Sequence, residues 1–562
     1  MSVSAASAHR GLDTQAWVAR AAIGVIAVAL FVAVAAPLYV LLSRGLENKA
    51  GEFVGFANYA SYLATPGVGR SIVNSLVIAL ASTVVTVSAA FLFAYGLTRS
   101  HMPFKGLLKA IALAPLLAPS LLPAIALVYL FGKQGLLKSL MFGQDIYGPI
   151  GILLGETFYC FPAALLILVT ALSLSDQRLY DAAVSLGASR WRVLVTVTLP
   201  GARYGLISAV FVVFTLAITD FGVPKVIGGW YAVMATDVYK QVVGQQDFQK
   251  GAVVSTLLLL PAILAFAADS FVRRKQVSPL SARSVAFNPR PEPVRDWLLF
   301  GFCVLVAVAI LGLLLTAAGA SFVKLWPYNL EPWLRHYDFD NTDGGGWQAY
   351  RNSIVMALLT AICGTATIFL GAYLSEKFKD FPSGRAMIRL LAMIPMAVPG
   401  LVLGLAYIFF FNDPSNPLNF LYRTMAILVI ATIVHFYTVA HLMAVTALKQ
   451  MDSEFESVGA SLKVSWYTTF RRVTVPVAMP AILDISIYLF VSAMTTVSAV
   501  VFLYSPTTAL ASIAVLNMDD AGDVAPAAAM AMMIVYTAAG VRLLHWLATR
   551  GLARRSQAWR GR

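Results

Sequence analysis

The sequence predicts an all-α, polytopic membrane protein with about twelve transmembrane helices in two parallel six-helix repeats. Three observations lead there. Of 562 residues, 59% are hydrophobic and only 12% are charged, about half the charge share of a soluble domain. Apolar runs of about twenty residues, long enough to cross a hydrocarbon core as helix, recur along the whole chain. Short motifs also return at a nearly constant spacing. The runs are continuous rather than alternating, which argues against a transmembrane β-barrel.

Spans are expected near 18–43, 72–97, 107–131, 148–172, 203–222 and 251–272, then near 297–322, 352–375, 386–411, 424–448, 477–502 and 525–547. The polar lead 1–16 precedes an apolar run too long for a signal-peptide core, so the first span is expected to stay in the mature protein. Between the two sets lies RRKQVSPLSARSVAFNPRPEPVRD, rich in Pro, Ser and Arg. It reads as a solvated linker, 276–296, between domains 1–275 and 297–562.

The net charge of +14 raises the possibility of a nucleic-acid partner. Its placement points elsewhere. With the N-terminus cytoplasmic, about 29 of the 41 Lys and Arg fall on the cytoplasmic side, as the positive-inside rule requires. Segment 503–524, on the opposite side, has no Lys or Arg but holds Asp519, Asp520 and Asp523. The expectation is a multi-pass protein of a bacterial plasma (inner) membrane, both termini cytoplasmic, with no nucleic-acid partner. The three cysteines, Cys160, Cys303 and Cys363, lie far apart inside apolar runs. They have neither metal-ligand spacing nor a disulfide framework.

The two halves are repeats. NSLVIAL from Asn74 returns as NSIVMAL from Asn352, and Tyr95 returns as Tyr373. Pro115 and Pro119 return as Pro395 and Pro399, VTAL at 169–172 as VTAL at 445–448, and Pro200 as Pro476, all at offsets of 276 to 280. Six spans per half give both halves one orientation, related by an axis along the membrane normal.

One polar stretch in each half interrupts this pattern before the fifth span. In DAAVSLGASRWRVLVTVTLP (181–200), Asp176 is placed to cap a short helix. Leu179, Ala182, Ala183 and Leu186 fall on one face of it. Gly187 suits the left-handed position that ends it, and Ser189 can cap a second helix running toward Leu199 and Pro200. The second half repeats the plan, with Asp452 for Asp176, Ser465 for Ser189, and Phe455, Val458, Gly459 and Leu462 on the stripe positions. A small-residue apolar face on a solvent-side helix, once per half, suits a socket for a two-fold partner; packing against the helix's own bundle is the alternative.

The spacing Glu-Ala-Ala, three residues, Gly, nine residues, Ile-x-Leu-Pro is the EAA motif of ABC importer permeases. Here it reads Asp181-Ala182-Ala183, Gly187 and Val197-Thr198-Leu199-Pro200. The second copy is degenerate. Ser457-Val458-Gly459 stands for Glu-Ala-Ala with Glu456 one position early, Lys463 replaces the glycine, and Val473-Thr474-Val475-Pro476 closes it. Over essentially its whole length the chain resembles two fused permease domains of this family, in the group that imports iron(III) or 2-aminoethylphosphonate. ITDFGVPKVIGG (218–229), DVYKQVVGQQDFQKGAVVSTLLLLPA (237–262) and GASLKV (459–464) lean toward the 2-aminoethylphosphonate branch, with iron(III) as the alternative.

The resemblance implies a type I importer fold, with loops 176–200 and 452–476 coupling the spans to two ATP-binding cassette subunits at the cytoplasmic face. It also implies a substrate-binding protein at the outer face. ATP and Mg²⁺ would belong to those ATPase subunits, because this chain has no G-x-x-x-x-G-K-[ST]; Gly132-Lys133 is followed by Gln. The chain is therefore expected to be a non-enzymatic subunit with no cofactor of its own. A secondary transporter of six plus six spans would share the repeat but would not need the glycine-turn loops. Ionisable groups inside the bilayer are functional candidates by default. Those are Glu156, Asp220 and His435 for a translocation path, with His441 and Asp484 further members. His435 and His441, six residues apart, lie about 120° apart on a helix, so no metal site is expected.

Overall fold

The computed structural model describes residues 2–274, 285, 287–378, 381–452, 454–462 and 464–556. Among these, eight unbroken helices are long and apolar enough to span: Ala16–Arg44, Val68–Arg99, Pro149–Ser173, Arg190–Thr219, Phe248–Val272, Pro293–Phe322, Gly346–Lys377 and Val524–Thr549. Four further pairs are bent at a short break: Lys105–Leu117 with Leu121–Phe131 by 105°, Pro382–Ala397 with Gly400–Phe411 by 116°, Met425–His435 with Tyr437–Lys449 by 57°, and Trp466–Val477 with Met479–Thr495 by 77°. Counting each pair as one span gives twelve. The chain is an all-helical, multi-span protein; among the described residues the one small sheet is the hairpin Val323–Leu325 with Asn329–Pro332.

The elbows in the third and ninth spans follow from the repeated Pro-x-x-x-Pro. The first proline of each opens a 3-10 turn, Ala114–Leu117 or Ile394–Ala397. The residue before the second proline is pushed out of the helical region by the proline ring. Ala118 takes φ −104°, ψ 141° and Val398 takes φ −102°, ψ 115°. The helix then restarts in a new direction. At both elbows the backbone passes close to the end of another span. A Cβ on Gly222 would overlap Ser120 Oγ, and a Cβ on Gly400 would overlap Ser498 Oγ. Position 120 corresponds to 400 and 222 to 498, so each half has one serine and one glycine at this crossing, in opposite order.

The repeated Asn-Ser pair also has a structural role. Ser75 Oγ accepts from Met234 N at 2.7 Å, and Asn74 Nδ2 donates to Ala232 O at 3.0 Å. In the second half Ser353 Oγ accepts from Ala511 N at 2.8 Å, and Asn352 Nδ2 donates to Ala509 O at 2.9 Å. Each pair thus pins the start of a short helix between the last two spans, Met234–Tyr239 or Ala511–Ala521, by satisfying backbone groups that a helix start leaves free. These short helices, with Gly222–Ile227, were not expected from the sequence.

Contact clustering divides the chain into two compact units that do not coincide with the sequential halves. One comprises Met1–Leu46, Gly345–Ala514 and Met533–Arg562, the other Glu47–Gly344 and Val515–Met532. The first span of each half therefore packs with the body of the other half. Span Pro293–Phe322 lies on Val68–Arg99, Lys105–Ala112 and Leu121–Phe131, whereas Ala36–Arg44 lies on Gly400–Phe411. In the first unit a π turn, Phe31–Ala35, interrupts the opening helix, and Tyr407 OH donates to Ala33 O at 2.7 Å. In the second unit Gly96 faces Cys303 and Leu299. Apolar periodicity identifies a span but not its neighbour, which is why this exchange is absent from the sequence reading.

Three boundaries also differ from expectation. The fifth span begins at Arg190 and ends at Thr219 rather than running 203–222. The eleventh ends at Thr495 rather than 502, followed by turns through Val497–Leu503. The seventh begins at Pro293, where proline suits a first helical position.

The Ser/Gly crossing gives a paired prediction. Gly222→Ser alone sets two hydroxyl side chains against each other and should cost about 1–3 kcal/mol of overpacking. Ser120→Gly combined with Gly222→Ser reproduces the order seen at 400 and 498 and should recover most of that loss. Thermal unfolding of the purified protein in detergent checks both.

Candidate functional site

The polar loops before spans five and eleven form the same motif. Asp176 Oδ1 accepts from Arg178 N at 3.1 Å and caps helix Gln177–Ser185. Gly187 has φ +70°. Gly187 N donates to Val184 O at 2.9 Å and Ala188 N to Ala183 O at 3.0 Å, the paired bonds of a Schellman ending. Ser189 Oγ then accepts from Arg192 N at 3.3 Å and caps the next helix. In the second loop Asp452 Oδ1 accepts from Glu454 N at 3.0 Å, and Val464 N donates to Gly459 O at 2.9 Å. Lys463, which takes the place of the turn glycine, lies outside the described residues. A π turn follows in each loop, Leu194–Thr198 and Phe470–Thr474. Each lies directly before the proline dipeptide, Leu199-Pro200 or Val475-Pro476, whose ring would otherwise meet a carbonyl four residues back.

The stripe expected on the first loop helix faces solvent. Leu179 is 59% exposed and Leu186 86% exposed; Ala182 is exposed and Ala183 half-buried. In the second loop Val458 is 55% and Leu462 69% exposed, Ser457 is exposed, and Phe455 is half-buried. Gly459 lies against Thr469, where a Cβ would crowd the threonine side chain. Pro200 and Pro476 are exposed and Leu199 is half-buried. Each loop therefore presents an uncovered apolar face. The alternative, a stripe packed on its own bundle, does not hold for Leu179, Leu186, Val458 or Leu462.

The opposite face of each loop helix is anchored by a cation at the end of the second span of its half. Arg99 is 3% exposed. Its Nη2 donates to Leu172 O at 2.7 Å, Ser175 Oγ at 2.6 Å and Tyr180 OH at 3.3 Å. Its guanidinium lies 4.1 Å from the Phe287 ring centre. Tyr180 OH in turn donates to Thr198 Oγ1 at 3.2 Å. Arg99 thus sits at the C-terminal ends of two spans, where free carbonyls and helix dipoles favour a cation. In the second half Lys377 corresponds to Arg99 and Glu456 to Tyr180, and the two form an ion pair at 3.2 Å. Glu456 accordingly points inward rather than onto the outer rim. Rings of Tyr373, Phe378, Trp466 and Phe470 pack around that junction. Sequence reasoning missed Arg99 and Lys377 because a basic residue at an inner span end is also what membrane orientation alone requires.

Asp181 and Arg190 do not reach outward for a partner. Asp181 Oδ1 accepts from Gln177 Nε2 at 2.9 Å and pairs with Arg290 at 3.3 Å, and Arg190 pairs with Glu292 at 3.0 Å. Arg290 and Glu292 belong to the segment expected as a solvated linker; Asn288, Arg290 and Pro291 are exposed, and the segment also makes these two contacts with the loop.

Of the path candidates, the structure brings two together. Glu156 is fully buried, takes an S–H contact from Cys160 at 3.7 Å, and adjoins Asp220. Asp220 ends its helix beside Ser120 and accepts from Val223 N at 2.8 Å. At a 276-residue offset the second half has Thr432 and Thr496, so the carboxyl pair is a property of the first half alone. His435, in the other compact unit, stands half-buried at the 57° bend, and His441 stacks on Tyr437 at 5.7 Å.

Sequence comparison places this geometry in a known group. The family described as "Binding-protein-dependent transport system inner membrane component" matches residues 83–276 and 367–554, together more than half of the chain. Its matches include both loops. The ferric transport system permease protein FbpB of Actinobacillus pleuropneumoniae is 27% identical over 497 residues, 85% of this chain and 71% of that protein. The Fe(3+)-transport system permease protein FbpB 2 of Haemophilus influenzae is 24% identical over 505 residues, 89% of this chain and 92% of that protein. A solved bacterial alginate ABC transporter, in complex with its alginate-pentasaccharide-bound periplasmic protein, matches 39% of this chain and 82% of that chain, at 15% identity and a TM-score of 0.34. With two matched domains, uncovered loop helices before the fifth and eleventh spans, and hydrolysis left to separate ATPase subunits, the chain belongs to the inner-membrane permease components of binding-protein-dependent ABC transporters.

Proposed function

We propose that this chain is the fused permease of a ferric iron importer, with both termini in the cytoplasm and the two loop helices serving as its ATPase contacts. The observation that carries the cargo assignment is the coverage of the ferric permeases, 85% and 89% of this chain in single alignments across both halves. These relatives favour the iron(III) alternative over the 2-aminoethylphosphonate reading, which rested on three short stretches. Permease sequence reflects cargo weakly where a separate binding protein makes the first selection.

The mechanism follows from the loops. The first loop helix is capped at both ends and the second at its start; each loop is held from behind by a buried cation or ion pair and is apolar in front. An ATPase subunit seated on that front would move the loop, and the anchored spans would move with it. A partner that binds the two states of the permease unequally shifts the equilibrium between them. In the first half, Glu156 with Asp220 is the acidic pair that a cationic cargo would meet.

In proteoliposomes containing the permease, its ATPase subunits and its binding protein, radioactive ferric iron should accumulate on ATP addition. Asp220→Asn should lower that uptake severalfold with subunit retention intact. Accumulation of 2-aminoethylphosphonate in place of iron would overturn the cargo assignment.

The loops carry a separate prediction. Gly187→Val meets no neighbour, since nothing lies within 4 Å of its Cβ position, but it forces a side chain into the left-handed region at a cost of roughly 1–2 kcal/mol. The protein should insert and fold, retain ATPase subunits poorly and lose most uptake. Leu186→Asp should do the same without touching the backbone. Normal uptake in both variants would remove the first loop from the coupling path.

A further inference from the structure

Val285 and residues 287–292, between the two halves, grip the first loop from behind. Gln177 N donates to Val285 O at 3.0 Å, and Val285 N donates to Asp176 Oδ1 at 3.3 Å. Asn288 N donates to Gln177 Oε1 at 3.0 Å. The Phe287 ring packs on Tyr180 with centres 4.5 Å apart and covers Arg99 at 4.1 Å. The two ion pairs, Arg290–Asp181 and Glu292–Arg190, extend the grip along both helices of the loop.

The geometry points to a strap: we propose that Val285 and residues 287–292 form a positioning element that holds the first loop helix rigidly on the ends of spans two and four. Three features separate a strap from a chain that merely passes by. Its partners Gln177, Tyr180 and Asp181 lie at i, i+3 and i+4, one face of the helix, while Leu179 and Leu186 on another face stay open. Asp176 Oδ1 serves twice, capping the helix and holding Val285, so the cap and the strap stabilise each other. Pro289, Pro291 and Pro293 remove alternate backbone donors and keep the segment extended; extended chain leaves its other N–H and C=O groups free to bond the loop. The second loop is held differently, by Lys377–Glu456 and its aromatic cluster. The strap explains how the first loop transmits motion without losing it to local bending, and in that respect it rests on the coupling reading above.

Hydrogen exchange on the purified full-length permease, without its ATPase subunits, tests the strap independently of coupling. Phe287→Ala should speed exchange of the 179–186 amides about tenfold or more, with the spans unchanged. In the complete importer the same variant should lower iron taken up per ATP hydrolysed severalfold while subunit retention stays normal. Arg290→Asp should act in the same direction, and Arg290→Asp with Asp181→Arg should restore slow exchange of the 179–186 amides; this pair does not depend on Phe287→Ala folding. Unchanged exchange in both single variants overturns the strap. If exchange rises but uptake per ATP is unchanged, the strap is overturned as a transmission element. Failure of Leu186→Asp to affect subunit retention would instead sink the coupling reading and leave the exchange result standing.

Discussion

A single buried guanidinium organises the first loop and its surroundings. Arg99 ends one span, bonds a carbonyl near the end of another, donates to the tyrosine of the loop helix and lies against the aromatic ring of Phe287. Taking a cation out of water is costly unless its donors are used. Here Nη2 meets Leu172 O near the end of a span together with the Ser175 and Tyr180 hydroxyls, and the Tyr180 and Phe287 rings cover the guanidinium. The second half meets the same demand with an ion pair, Lys377–Glu456. The surface on which each loop rests is therefore fixed from inside the protein, and only its outer face is left for another chain.

The repeat preserves functions more strictly than residues. Asn-Ser pins a short helix in both halves, and Pro-x-x-x-Pro breaks a span in both. At the elbow crossing the serine and glycine have changed places, which keeps the close approach while altering the sequence at both positions. Elsewhere the halves diverge. The first half has Glu156 and Asp220 where the second has Thr432 and Thr496. The first has a glycine at its loop turn where the second has Lys463.

What the sequence revealed depended on range. The caps at Asp176 and Ser189 and the turn at Gly187 are local, and each follows from one residue's backbone preference. The elbows at Pro119 and Pro399 are equally local, but in the sequence the prolines read only as a repeat signature inside spans expected near 107–131 and 386–411. Span boundaries differed from expectation where the helix ran on into the loop, as at Arg190, and where an apolar run continued past the helix into turns, as after Thr495. Three features were not legible. The bend at Phe436 has no proline or glycine beside it. The exchange of first spans requires knowing neighbours, which apolar periodicity does not encode. The docking of Phe287 and Arg290 came from a stretch with the composition of a solvated tether. Arg99 was hidden differently, because the positive-inside rule already accounts for an arginine there. The 2-aminoethylphosphonate expectation leaned on short stretches shared by related permeases, whereas the ferric permeases are similar across both halves of the chain.

The central claim is that the first loop helix moves as one body with the ends of the spans that hold it. Spin labels at the exposed residues Leu92, on the second span, and Leu179 in the complete importer would test this directly, with their distance measured in the nucleotide-free and ATP-trapped states. The account predicts a distance constant to within about 2 Å, the scale of small helix shifts, and a broadened distribution when Arg99 is replaced by Met. A change of roughly 5 Å, one helical turn, in the otherwise unaltered protein would contradict it.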